Sequence, residues 1–227
     1  MLRELELAEI VSLAGLEKRG EAESATVIEA APVAVAAPDV SAYSWEQLRE
    51  TVRDCRACGL CNGRKQAVFG VGAVTGPWLF VGEGPGADED EQGDPFVGQA
   101  GRLLDSMLAA AGLERGRDTY VANVVKCRPP GNRTPTADEA KACAAFLDRQ
   151  IDLVNPKIIV ALGKTAAARF LDNDNASLGS LRGRVHAYRG RPLVVTYHPA
   201  YLLRTLPDKA KAWDDLLLAR RTLRAAA

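Results

Sequence analysis

The heptapeptide CRACGLC places Cys55, Cys58 and Cys61 three residues apart, and Cys127 and Cys143 follow far along the chain. Thiolates at such spacing suit a metal. Five cysteines is an odd number in a chain of 227 residues, too long for a disulfide miniprotein, so metal binding or catalysis is favoured over disulfides. Four cysteines could hold structural zinc or an iron–sulfur cluster, and the spacings alone leave both open. The bacterial ferredoxin run would need a further Cys-Pro shortly after Cys61, and none is there. A second set of reactive types is more scattered: Glu83 in GEGPG, Asn123 in YVANVVK and His198 in HPAYLLR.

These residues need elements to position them. Short apolar runs alternate with helical patterns. Strands are expected at 78–82 (WLFVG), 119–126, 157–163 and 192–197. Helices are expected from Ser44 to Cys55, at 98–113, at 136–154, after Gly163 and at 208–224. Thr136 and Glu139 form a capping box for the third of these. The strands are apolar on both faces, as in a parallel sheet covered by helices. The expected fold is therefore α/β, a three-layer α/β/α sandwich around a mostly parallel four-stranded sheet.

Ligands of such sheets sit beyond the carboxyl ends of the strands. Glu83, Asn123 and His198 all fall there. Each has a plain structural reading too. An Asn at a strand end serves turns, a His before Pro can satisfy a loop carbonyl, and Gly82, Gly84 and Gly86 can simply make a tight turn. Nucleotide motifs do not account for them. The spacing of those glycines is not G-x-G-x-x-G, and the acidic run from Asp88 to Asp94 suits a phosphate badly. GKT at 163–165 lacks a P-loop's first Gly, since Ile158 is at that place.

The net charge of zero hides an asymmetry: residues 1–50 carry 4 Lys/Arg and 10 Asp/Glu, and the remainder carries 25 and 19. A modestly basic body is compatible with nucleic acid as a partner. No apolar run approaches the ~20 residues of a membrane span, and the start lacks the pattern of a signal peptide. A cytoplasmic, monomeric protein with no membrane partner is expected. Residues 1–42 read as an N-terminal helix (2–18) and an Ala/Pro/Glu-rich flexible linker, and residues 43–227 as the functional domain.

GEGPGADEDEQGDPFVGQAGRLLD (82–105), YVANVVKCRPPGNRTP (120–135) and HPAYLLR (198–204) together resemble the motifs of family 4 uracil-DNA glycosylases, the iron–sulfur branch of that superfamily. The resemblance covers about residues 44–220. It implies a [4Fe–4S] cluster held by Cys55, Cys58, Cys127 and Cys143, with Cys61 a spare thiol or a substitute for one of the four. The cluster would brace loops rather than pass electrons. The partner would be uracil-containing DNA, single- or double-stranded.

The resemblance also implies roles at the strand ends. Phe96 would stack on the flipped uracil, Asn123 would read its edge beside Gly82, and His198 would stabilise the leaving base. The best-known uracil glycosylases carry an Asp where Gly84 stands here. The duty of activating water or stabilising the sugar then falls to Glu83 first and Glu89 second, with Asp88, Asp90 and Glu91 as solvated surface. Leu202 or Leu203 would wedge into the gap in the DNA stack, and Arg204, Lys126, Arg128 and Arg133 would hold phosphates. No His follows the second strand in CRPPGNRTP, so turnover rather than covalent capture is expected. The alternative reading is a non-catalytic iron–sulfur DNA-binding protein of replication or repair. A small electron carrier is disfavoured by the lack of a second cofactor motif.

Overall fold

The computed structural model describes residues 39–173 and 175–225. The expected N-terminal helix and the linker up to residue 38 lie outside them. Val40, near the end of that expected linker, is buried against the core, and just beyond the linker the Tyr43 carbonyl accepts from Arg149 Nε (2.8 Å) and Nη2 (2.6 Å).

Helix α1 (Trp45–Asp54) starts at Ser44, whose hydroxyl accepts from the Gln47 amide while Gln47 returns to the Ser44 amide. Four strands follow the expected order: β2 (Trp78–Gly82), β3 (Thr119–Asn123), β4 (Ile158–Leu162) and β6 (Arg191–Thr196). They pair in parallel, β3-β2-β4-β6. The sheet has six strands rather than the four expected. β1 (Val71–Gly72) pairs antiparallel with β3 at one edge, and β5 (Val185–Tyr188) pairs antiparallel with β6 at the other.

Alternation within fully buried strands makes the three layers. Leu79, Val81, Ile159 and Ala161 face one core, with Phe146, Leu147 and Ile151 of α4 (Ala137–Val154) and Ala166 and Phe170 of α5 (Lys164–Leu171). Trp78, Phe80, Ile158 and Val160 face the other, with Leu104 and Leu108 of α3 (Gln99–Ala110) and Leu216 and Ala219 of α8 (Asp208–Ala225). With both faces covered, a strand has no polar side, which is why these runs read as continuous apolar stretches. Two more short helices matter to the site: α2 (Ala87–Gln92), built from the acidic run, and α7 (Pro199–Leu202). Another short helix, α6 (Leu178–Leu181), precedes β5. Among the described residues no helix is long and apolar enough to cross a membrane.

Candidate active site

The carboxyl ends of β2, β3 and β6 open into one cleft of about 560 Å³. Glu83, Glu89, Phe96, Asn123, Arg133, His198 and Arg204 line it, with Tyr201 and Gly84 to Gly86. The centre of convergence is Gly82. A Cβ there would stand 2.5 Å from the Phe96 ring and 2.6 Å from Asn123 Oδ1. Only the lack of a side chain at Gly82 lets ring and amide meet over the strand end.

Asn123 is 2% exposed, and its Oδ1 has no hydrogen-bond partner among the described residues. A buried acceptor left unpaired costs ~1–3 kcal/mol, so its presence in a cleft asks for a ligand donor. Its backbone is fixed from below. Lys126 Nζ donates to the Asn123 carbonyl (3.0 Å) and to Gln150 Oε1 (2.5 Å), and Gln150 Nε2 donates to the Phe69 carbonyl and the Tyr120 hydroxyl.

Phe96 holds a left-handed backbone, φ 58°, which a bulky residue rarely adopts. Its surroundings enforce it. The Glu89 carboxylate accepts from the amides of Gly86 (3.0 Å), Val97 (3.0 Å) and Gly98 (3.1 Å). Arg115 donates to the carbonyls of Pro95 (2.9 Å) and Phe96 (3.2 Å). At Gly101 a Cβ would fall 1.7 Å from the Phe96 carbonyl oxygen, so α3 can approach this loop only through a glycine. The Phe96 ring lies against the His198 imidazole, centroids 5.4 Å apart and 29° from parallel.

His198 caps α7, its Nδ1 accepting from the Ala200 amide at 3.2 Å. A ring nitrogen that accepts carries no proton, so the neutral ring bears its proton on Nε2. Burial pulls the imidazole down to about 4, with the nearby Glu89 opposing and Arg204 assisting. At neutral pH it is an uncharged donor. Glu83 meets a residue that sequence reasoning missed: the Thr165 hydroxyl donates to its carboxylate. Thr165 belongs to the GKT triplet that fails as a P-loop. Its partner lies in another strand-end loop, so no local signal could reveal it.

Three expected roles sit badly with the geometry. Lys126 is 1% exposed with its ammonium turned inward, so it presents nothing to a phosphate. Leu202 is 1% exposed and packs into the body, whereas Leu203 is 39% exposed at the surface. The Glu89 carboxylate is already engaged by three amides, which suits a loop brace better than a base that positions water. Arg204 reaches the cleft with no ion pair among the described residues, while Arg133 is bound bidentate to Glu139 (2.6 and 2.8 Å). Arg128 bonds to Asn132 Oδ1.

Cys55, Cys58, Cys127 and Cys143 line a separate small pocket with Arg64 and Lys126, although they do not stand as a preformed metal cage. Cys61 lines another. Burial pushes the Cys127 thiol up to about 11 and Cys143 up to about 12, and raises Cys58. Bare thiolates are therefore unfavourable in this pocket, and a bound cation would reverse that. Four soft donors lining one pocket fit an iron–sulfur or zinc centre by their chemistry. Arg64 Nη1 already donates to Cys127 Sγ at 2.8 Å.

Comparison with known proteins agrees with this arrangement. The family model of the Uracil DNA glycosylase superfamily matches residues 69–217. The type-4 uracil-DNA glycosylase of Thermotoga maritima is 48% identical over 174 residues, 74% of this chain and 90% of that protein. The type-4 enzyme of Pyrobaculum aerophilum is 43% identical over 182 residues, covering 76% of this chain and 91% of its own. That of Archaeoglobus fulgidus is 42% identical over 168 residues, covering 70% and 84%. The chain belongs to the uracil-DNA glycosylase superfamily, within its type-4 branch.

Proposed function

We propose that the cleft flips uracil out of DNA and hydrolyses its N-glycosidic bond, opening base-excision repair. Membership of the type-4 branch gives the activity class, uracil-DNA glycosylase. The observation that carries the residue roles is the unpaired, buried Asn123 Oδ1 beneath Phe96.

Extruding a base costs a few kcal/mol, and a stack on an aromatic ring returns ~1–3. Phe96, held rigidly by Glu89 and Arg115, supplies that face. Asn123 Oδ1 accepts from uracil N3–H while its amide nitrogen donates to O4. Cytosine presents an amino group and a bare N3 in those places. It would leave polar groups unpaired on both sides, so discrimination is steep. His198 donates Nε2–H to O2 and stabilises the negative charge that develops on the departing base. A neutral donor does this without having to be discharged at neutral pH. Glu83, oriented by Thr165, faces the sugar side, where a carboxylate stabilises positive charge or orients the attacking water.

Arg204, which lines the cleft with no ion pair among the described residues, meets a phosphate, Arg133 does so by exchanging its Glu139 partner, and Leu203 rather than Leu202 takes the wedge role. Cys55, Cys58, Cys127 and Cys143 would hold a [4Fe–4S] cluster, which when bound ties the cysteine loop of 55–58 to the segment carrying Asn123. Residues 39–225 act as one glycosylase body.

An oligonucleotide with one uracil tests the reading. Incubation followed by hot alkali should nick the strand at that position. The matched cytosine and thymine strands should stay intact. An intact uracil strand would overturn the proposal.

A further inference from the structure

A second cavity, about 500 Å³, opens beside the cysteine pocket. Arg49, Arg53, Arg56, Arg64 and Lys65 line it, with Asp94 as the sole carboxylate. Nothing in the reaction described above uses it. Arg49 and Arg53 stand four residues apart on α1, a like-charge pair that weakens an isolated helix. Arg49 lies over the Phe69 ring at 5.5 Å, and neither it nor Arg56 makes an ion pair among the described residues. Arg53 and Lys65 have exposed partners, Asp54 and Glu91, which solvent screens. Arg64 is committed to Cys127 Sγ and to the carbonyls of Arg53 and Cys55, so Arg49 and Arg56 are the guanidinium groups left for an anion, with Arg53 and Lys65 beside them.

The topology says which anion. β1 runs antiparallel to β3, with Val71 opposite Val121 and Gly72 opposite Tyr120. Phe69 and Gly70, which line the cavity, therefore lie at the carboxyl end of β3, and the Val68 amide bonds the Lys126 carbonyl beyond that end. The cavity thus opens at the same end of the sheet as the cleft, the carboxyl end of β3. Gly93 and Asp94 line it too, and they lead directly into Phe96. β1 is two strands from β2. At ~4.8 Å per strand that is ~10 Å, the reach of a few nucleotides of backbone.

We propose that this cavity is a backbone-phosphate subsite, gripping the DNA strand a few nucleotides to one side of the flipped uridine. The grip reads charge and not sequence. It rests on the glycosylase reading, and it adds a one-sided footprint to it.

The test is the salt dependence of binding to a uracil-free single strand, followed from about 50 to 200 mM salt. The same series is repeated for kcat/KM on a strand with one central uracil. The full-length protein is compared with Arg49→Gln/Arg56→Gln, with melting temperature and iron content as checks on folding. Each phosphate contact to a single strand contributes ~0.7 to the log–log slope, so the double variant should lose about 1.4. Shortening the strand on one side of the uracil should cost the wild type the same amount and the variant nothing more. Arg49→Lys/Arg56→Lys should restore the slope. An unchanged slope, equal sensitivity to shortening on both sides, or tighter binding by the Gln variant would each overturn the subsite. A chain that binds with the expected slopes but leaves uracil in place would refute the glycosylase reading alone.

Discussion

The uracil cleft and the cysteine pocket are built from the same stretch of chain, yet they bury opposite kinds of group. Asn123 ends β3 with an acceptor left open toward the cleft. Four residues later Cys127 turns into a pocket of thiols that burial keeps from ionising. Lys126 lies between, bonded to the Asn123 carbonyl and lining the thiol pocket. One region is preorganised for a ligand that comes and goes. The other holds thiols that burial keeps protonated, and only a bound cation would take the place of those protons. The difference separates chemistry from scaffold: damage to the cleft should cost rate, and damage to the pocket should cost the fold.

The largest effect is expected from Asn123→Ala. Loss of the base-reading amide should lower kcat/KM on uracil DNA by ~10³-fold or more, with melting temperature nearly unchanged. Cys127→Ala should do the reverse, yielding protein without iron or brown colour and with a markedly lower melting temperature. A Cys127→Ala variant as stable as wild type would erase the contrast.

Thr165→Val should be milder, about tenfold in kcat with KM retained, since it frees Glu83 without removing it; Thr165→Ser should recover most of the rate. A smaller effect concerns acid. His198 has a folded value near 4 against an unfolded value of 6.5. Between those values the unfolded chain binds the extra proton, so this group lowers stability as pH falls from 6.5 toward 4. Denaturant titrations of His198→Asn should show a shallower decline over that window. The smallest effect belongs to Cys61→Ala, which should keep both colour and stability, because Cys61 lines a different pocket from the other four.

The four parallel strands were legible because burial on both faces leaves an unbroken apolar run. The edge strands were not. β1 is two residues long, and β5 alternates exposed and half-buried side chains in an otherwise polar stretch. Helix α2 hid inside an acidic run that reads as surface, although Asp90 within it is buried and accepts from the Lys65 amide. At the site, residue types and strand ends pointed to Glu83, Asn123 and His198, and the family motif to Phe96. What sequence could not supply was direction. Lys126 beside Cys127 looks like a phosphate ligand until its ammonium is seen pointing inward. Leu202 and Leu203 are indistinguishable as letters, yet helix α7 buries Leu202 at its end and leaves Leu203, the next residue, exposed. Thr165 and Arg115 act on loops far away in the chain, which no local pattern records.

The most direct test of the central claim is the single-turnover excision rate of Asn123→Ala, measured on protein shown to carry full iron and to melt like wild type. The rate of that folded, loaded protein should be lower than wild type by at least ~10³. A rate within a few-fold of wild type, or a variant that loses iron along with activity, would contradict the division between a cleft that does the chemistry and a cysteine pocket that holds the scaffold.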